Sequence, residues 1–254
     1  MSLEVHVLAS GSDGNCTVVK FEDRAVMIDA GLSFKKIKGL MDVSGIDESC
    51  IESILITHEH NDHITGAGPT ARKLDVPLVC IDRTFNAFNH GDVRHRSIRM
   101  LEQFQEAGMR ITPLPTMHDA AEPCSFCFEA DGKIALIATD TGRLTQPVEH
   151  VLAKADIAVI ESNYDKHMLE IGPYPLELKR RIDSDIGHMC NVATGEAVKR
   201  TMGVNPRRQI FLAHLSRKNN MPDIARETVS EVSGVRRSKL DCLEFQGDTR
   251  VLRA

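Results

Sequence analysis

The sequence predicts an α/β protein built from packed layers rather than a doubly wound sheet. Short apolar strands crowd the first half, helical patterns recur along the whole chain, and no Pro/Gly/Ser-rich linker divides it. One domain is therefore expected over residues 1–254. Of the 254 residues, 42% are hydrophobic and 26% charged, as in a soluble globular chain able to bury a full core. No apolar run approaches the roughly 18 residues of a membrane span. The first fifteen residues lack the basic-then-apolar pattern of a secretory leader. A cytoplasmic location is the expectation.

Leu3 to Leu8 and Cys16 to Lys20 read as strands around the turn Gly11-Ser-Asp-Gly-Asn15. Ala25 to Ile28 is a third strand, followed by Asp29-Ala-Gly31. Ser33 is placed to cap a helix running to about Met41. Ile54-Leu-Ile56 reads as a buried strand, Asp62 to Leu74 as a helix and Leu78 to Ile81 as another strand. The polar stretch 82–108 suggests a helical excursion over the surface. Strands are expected at Ile111–Pro115, Ser125–Ala130, Lys133–Ala138, Ile157–Ile160 and Gln209–Ala213, and helices over 145–154, 175–184, 191–202 and 222–232. Leu240 to Phe245 and Arg250 to Leu252 read as a closing hairpin.

The seven cysteines are irregularly spaced, which suits reduced thiols; Cys124-Ser-Phe-Cys127 reads as alternation on a strand. The net charge of −5 does not mark a general nucleic-acid binder. Charge is uneven, however: residues 170–240 hold 13 Lys and Arg against 8 Asp and Glu.

The chemistry concentrates in Thr57-His58-Glu59-His60-Asn61-Asp62-His63, directly after an apolar strand. In a chain of this composition the pattern H-x-H-x-D-H arises by chance about 0.0015 times. Imidazole nitrogen and carboxylate oxygen are preferred ligands of zinc and similar divalent ions. His58 and His60 can address one ion, and Asp62 and His63 a second. Further ligands should come from other strand ends, where a packed scaffold holds a side chain beside exposed loops. His118 follows Ile111–Pro115, Asp140 follows Ile134–Ala138, and His214 follows Ile210–Ala213. Asp29 has the same placement after Ala25–Ile28.

This order of motifs resembles the five-motif signature of the metallo-β-lactamase superfamily, over nearly the whole chain. The resemblance implies a four-layer αβ/βα sandwich with two divalent ions at one edge, zinc or manganese foremost, with iron also compatible. It implies that His58, His60 and His118 hold one ion, that Asp62, His63 and His214 hold the other, that Asp140 bridges them, and that Asp29 orders the loop without being a ligand. The chain is most similar to the exonuclease-like YycJ/WalJ branch. That likeness rests on Leu8-Ala-Ser-Gly-Ser-Asp-Gly-Asn-Cys16, Ile28-Asp-Ala-Gly-Leu-Ser33, Thr57 to Gly66, His118-Asp-Ala-Ala-Glu-Pro123, Glu161-Ser-Asn-Tyr-Asp165, Gly187-His188 to Asn191, and His214-Leu-Ser216 with Asn219-Asn220. Positions 189 and 190 hold Met and Cys where Leu and Ser are expected.

The implied activity is phosphodiester cleavage in DNA or RNA, 5′–3′ exonuclease-like. A thioester, lactone or other small-molecule hydrolase of the same fold is the alternative. Asp62 is expected to orient the attacking water. His188 is the candidate proton donor to the leaving oxygen, since a near-neutral pKa suits that task. Asn15, Asn191, Ser216, Asn219 and Asn220 are candidate substrate contacts. Lys179-Arg-Arg181, Lys199-Arg200, Arg207-Arg208 and Arg217-Lys218 flank His188 and His214 and could track a phosphate backbone.

Overall fold

The computed structural model describes residues 2–245 and 247–254. Six strands of the first half, β1 (Leu3–Ala9), β2 (Cys16–Phe21), β3 (Arg24–Ile28), β4 (Ile51–Leu55), β5 (Leu78–Cys80) and β6 (His95–Ser97), lie side by side in chain order. The second sheet is laid down in the same way by β7 (Phe104–Glu106), β8 (Met109–Pro115), β9 (Cys124–Ala130), β10 (Lys133–Ala138), β11 (Ile157–Glu161), β12 (Gln209–Ala213) and β13 (Leu240–Asp241). The last strand, β14 (Arg250–Arg253), returns to the first sheet beside β1. Each sheet is antiparallel in one half and parallel in the other, with β3 to β6 and β10 to β13 as the parallel runs.

The parallel strands are covered on both faces, so they read as continuous apolar runs. On β3, Val26 and Ile28 pack between the sheets, whereas Ala25 and Met27 face outward. On β10, Ala135 and Ile137 point inward and Leu136 and Ala138 outward. Phe126, Phe128 and Phe211 fill the space between the sheets with no exposed surface. Truncating one such phenylalanine to Ala costs about 3–5 kcal/mol by cavity formation.

Helices cover the two outer faces. On the first sheet, Ile37 and Met41 of α1 (Phe34–Val43) pack there; after the single turn α2 (Asn61–Ile64) come Ala67 and Ala71 of α3 (Ala67–Leu74). The short α4 (Asp82–Asn86) follows β5. On the second sheet, Val148 and Leu152 of α5 (Gln146–Lys154) lie beside α8 and α9, after the small helices α6 (Lys166–Ile171) and α7 (Leu176–Ile182). Helix α8 (Asn191–Thr201) brings Ala197 and Val198, and α9 (Pro222–Ser233) brings Ala225 and Val229. The result is an αβ/βα sandwich.

Four local expectations change. The helix read over Asp62–Leu74 is broken into α2 and α3 at Gly66, where a Cβ would come within 1.8 Å of the Leu32 carbonyl oxygen. The stretch 82–108 is not a helical excursion: it holds α4 and two sheet-edge strands, β6 and β7. The closing hairpin is absent, because β13 pairs with β12 and β14 with β1, in different sheets. Ser33 stands at the start of α1 without a side-chain capping bond. The cysteines are free. Cys124 faces the inter-sheet core and Cys127 the opposite side of β9, which is the strand alternation read from their spacing.

Candidate metal centre

Parallel strands deliver their C-terminal ends to one edge of a sheet, and ligand-bearing loops gather there. Here β3 leads to Asp29, β4 to Thr57 and His58, β10 to Asp140, β11 ends in Glu161, and β12 leads to His214. Strand β8, antiparallel to β9 and so aligned with β10, leads to His118. Asp29, Asp140 and His214 all take left-handed backbone conformations, with φ of 58°, 54° and 57°. Non-glycine residues adopt this region at a cost, and such strain collects at functional turns. The loop after β3 closes tightly on the histidine-rich segment: a Cβ on Gly31 would come within 1.7 Å of the Asp62 carbonyl oxygen.

The side chains converge in two adjoining groups, His58, His60 and His118 in one and Asp62, His63, Asp140 and His214 in the other. Within each group the candidate donor atoms all lie within 4.8 Å of one another. Asp140 faces both. Its Oδ2 is 3.2 Å from His63 Nε2, and its Oδ1 is 3.3 Å from His214 Nδ1 and 3.9 Å from His118 Nε2.

Hydrogen bonds at the rear of the rings fix which nitrogen faces inward. His63 Nδ1 donates to Asp29 Oδ2 at 2.7 Å, and His118 Nδ1 to the Gly187 carbonyl at 3.0 Å. His214 Nδ1 donates to Glu161 Oε1 at 2.9 Å. Thr57 Oγ1 donates to Asp29 Oδ2 at 2.8 Å and accepts from His58 Nδ1 at 3.0 Å. Four Nε2 atoms therefore face the interior of the cluster, the arrangement that outer partners impose on metal-binding imidazoles.

This donor set fits divalent ions. His58 Nε2 and Asp140 Oδ2 are buried and lack hydrogen-bond partners among the described residues. His63 Nε2 also faces Asp62 Oδ2 at 3.5 Å, and His118 Nε2 faces His60 Nδ1 at 3.2 Å. Lone pairs so close repel unless a cation or proton lies between them. Burial lowers the pKa of His63, but the carboxylates of Asp140 and Asp29 outweigh it and raise the ring well above its ordinary value. Burial likewise opposes charge on His214, yet Asp140, Asp62 and Glu161 push it up to about 10. His58 goes the other way, lowered by burial and by its histidine neighbours.

His188 lies beside the cluster, in a 180 Å³ cleft lined by Ser12, Asn163, Arg181 and Ser216. Its Nδ1 donates to Glu161 Oε1 at 2.8 Å. Glu161 carries no role in the sequence reading and is the main omission. It has no exposed surface, and its Oε2 accepts from the backbone of Thr141 at 2.9 Å and Met189 at 3.1 Å. The available signal was an acid at the end of the apolar run Ile157–Ile160, the same placement as Asp29. At position 190, the Cys190 sulfur accepts from Ala193 N at 3.4 Å, the capping role a serine would fill.

The candidate substrate contacts divide. Asn15 Nδ2 reaches Asp62 Oδ2 at 3.2 Å and His63 Nε2 at 2.9 Å, inside the cluster. Ser216 reaches the His188 cleft. Asn191 and Asn219 are 1% and 0% exposed, and the structure does not bring them to the cleft surface. The Asn191 side chain bonds Ser162 and Asn220, and the Asn220 amide donates to the carbonyls of Ser162 and Asn163. These asparagines brace the loops after β11 and β12. Among the basic residues, Arg208 is buried and donates to the Leu152 carbonyl and to Thr201 Oγ1, so it is unavailable to a phosphate backbone. Arg200 pairs with Glu149 and Arg217 with Asp13. Arg181 alone of them lines the His188 cleft, paired with Asp119 at 2.5 Å.

A two-sheet sandwich with His/Asp clusters at the strand-end edge defines a metal-dependent hydrolase of the metallo-β-lactamase fold. Residues 24–214 match the β-lactamase superfamily domain, and the chain belongs to that family. It is 38% identical to exodeoxyribonuclease YycJ of Bacillus anthracis over 237 residues, covering 91% of this chain and 89% of that protein. It is 36% identical to exodeoxyribonuclease WalJ of Streptococcus pneumoniae over 230 residues, covering 88% and 85%. The metallo-β-lactamase fold protein YhfI of Bacillus subtilis superposes with a TM-score of 0.73 at 15% identity, over 99% of this chain and all of that one. No helix among the described residues is long and apolar enough to cross a membrane.

Proposed function

We propose that this protein is a cytoplasmic, single-domain exonuclease that hydrolyses phosphodiester bonds of DNA from a strand end in the 5′–3′ direction, using two divalent ions. The observation that carries the reading is the position of Asp140, whose two carboxylate oxygens face the two histidine groups. The likeness over most of the chain to two proteins named exodeoxyribonucleases supports DNA as the substrate.

His58, His60 and His118 would hold one ion, Asp62, His63 and His214 the other, with Asp140 shared between them. Two such ions lower the pKa of an attacking water and offset the charge that develops on the phosphate. Asp62, which Asn15 holds at 3.2 Å, accepts a hydrogen bond from that water and aims it. Asp29 fixes the His63 ring and the Thr57 backbone, so the histidine-rich turn stays in place when substrate enters. His188 gives its proton to the leaving oxygen. Burial lowers the pKa of His188, but Glu161 more than offsets this and raises it above its ordinary value. Arg181 and Ser216 donate to phosphate oxygens across the cleft.

Zinc- or manganese-loaded protein should shorten 3′-labelled single-stranded DNA stepwise, release the label of 5′-labelled DNA with the first nucleotide, and turn over bis(p-nitrophenyl) phosphate. RNA cleaved in preference to DNA would change the substrate within the class. Turnover of a thioester with no phosphodiester cleaved would overturn the reading.

A further inference from the structure

Beside the His188 cleft lies a space of about 600 Å³ between α1, the loop after β12 and the residues Leu243, Glu244, Phe245 and Gly247. That volume is within the range of about 300–1,000 Å³ usual for ligand sites. The two spaces share a wall. Ser216 lines both, and along the turn after β1 Gly11 and Asp13 line the large cavity while Ser12 lines the cleft. The same turn is tied to the candidate centre, because Gly11 N donates to Asn15 Oδ1 at 2.9 Å and His214 N donates to Ser10 Oγ at 2.7 Å.

The lining combines flat apolar walls with cations. Leu40 and Leu215 form apolar walls, and Phe245 presents a ring that is 70% exposed. The acids at the rim are already matched, Asp13 by Arg217 and Glu244 by Arg226. Lys35 and Lys36 are exposed and form no ion pair among the described residues. Apolar and aromatic faces beside free lysines are the chemistry of single-stranded nucleic acid, in which bases stack and phosphates pair with cations.

Building on the proposed nuclease activity, we infer that this cavity is the binding site for the single-stranded nucleotides adjoining the scissile bond, with the strand crossing from it to the His188 cleft over Ser12 and Ser216. Phe245 stacks on a base, and Lys35 and Lys36 hold the backbone. Strand affinity then resides largely outside the metal centre.

Gly39 allows a direct test. It lines the cavity from α1, and a Cβ there meets nothing within 4 Å, so Gly39→Phe fills the space without disturbing the helix. The second variant is Lys35→Glu combined with Lys36→Glu. Binding of a fluorescein-labelled single-stranded DNA 12-mer is followed by anisotropy on metal-free protein, with circular dichroism confirming fold. Both variants should bind at least tenfold more weakly, and the charge reversal should flatten the dependence of log Kd on log salt. Wild-type affinity in both folded variants, or no binding by the wild type, overturns the inference. A wild type that binds the 12-mer through this cavity but never cleaves it with metal present overturns the nuclease reading and leaves the binding site standing.

Discussion

Glu161 and His188 are joined by a 2.8 Å hydrogen bond from Nδ1 to Oε1, and the same oxygen accepts from His214 Nδ1 at 2.9 Å. One buried carboxylate thus orients both the proposed proton donor and a proposed ligand of the second ion. Burial alone would raise the pKa of Glu161, but His188 holds it down to about 2, so it stays ionised.

Glu161→Gln should therefore act through the pH profile. The carboxylate raises the pKa of His188. Without its charge the ring loses its proton at lower pH, and the alkaline limb of the kcat profile should move to lower pH. A limb unmoved in the variant would separate Glu161 from the proton donor.

His188→Ala should keep the metal content of the wild type and lower kcat on DNA by about 10²–10⁴-fold. The loss should shrink with p-nitrophenolate as leaving group, which needs little protonation. If KM rises instead and the leaving group makes no difference, His188 grips phosphate rather than donating a proton.

What the sequence disclosed, and what it hid, follow from local and non-local physics. His58 to His63, His118, Asp140 and His214 were legible because each follows an apolar run that had to be a strand, and strand ends hold side chains rigidly. The left-handed backbones of Asp140 and His214 left no trace in the pattern. Glu161 stood in one of the segments that carry the family likeness, but its role was hidden, because a single acid after Ile157–Ile160 looks like any strand end until His188 arrives from 27 residues away. Asn191 and Asn219 misled because an amide that braces a loop and one that binds phosphate are the same residue type. The pairing of β13 and β14 with different sheets depends on where the two sheet edges lie, which local alternation does not encode.

Metal affinity should rise with pH. In the metal-free protein His63 and His214 are held protonated by the surrounding carboxylates, His214 up to about 10. An ion needs their neutral form, so binding at neutral pH must expel protons, and raising the pH removes that competition. Calorimetric titrations with zinc in buffers of different ionisation enthalpy should register this release. Affinity that is flat between about pH 6 and 9 would contradict it.

Asp29→Ala should weaken metal binding without removing a ligand. Asp29 fixes the ring of His63 at 2.7 Å and the backbone of Thr57 at 2.8 Å. Loss of such an outer partner typically costs about 10–100-fold in metal affinity. Competition titration against a chromophoric chelator measures the change, and an unchanged affinity would mean that packing alone orients His63.

The central claim is a pair of ions shared through Asp140. Mass-spectrometric metal analysis of the purified wild type, Asp140→Ala, His118→Ala and His214→Ala proteins tests it most directly. The account predicts about two ions per wild-type chain, loss chiefly of one ion in each histidine variant, and a greater loss in Asp140→Ala, with circular dichroism preserved because the sandwich core is apolar. Asp140→Ala retaining two ions per chain would contradict the shared centre.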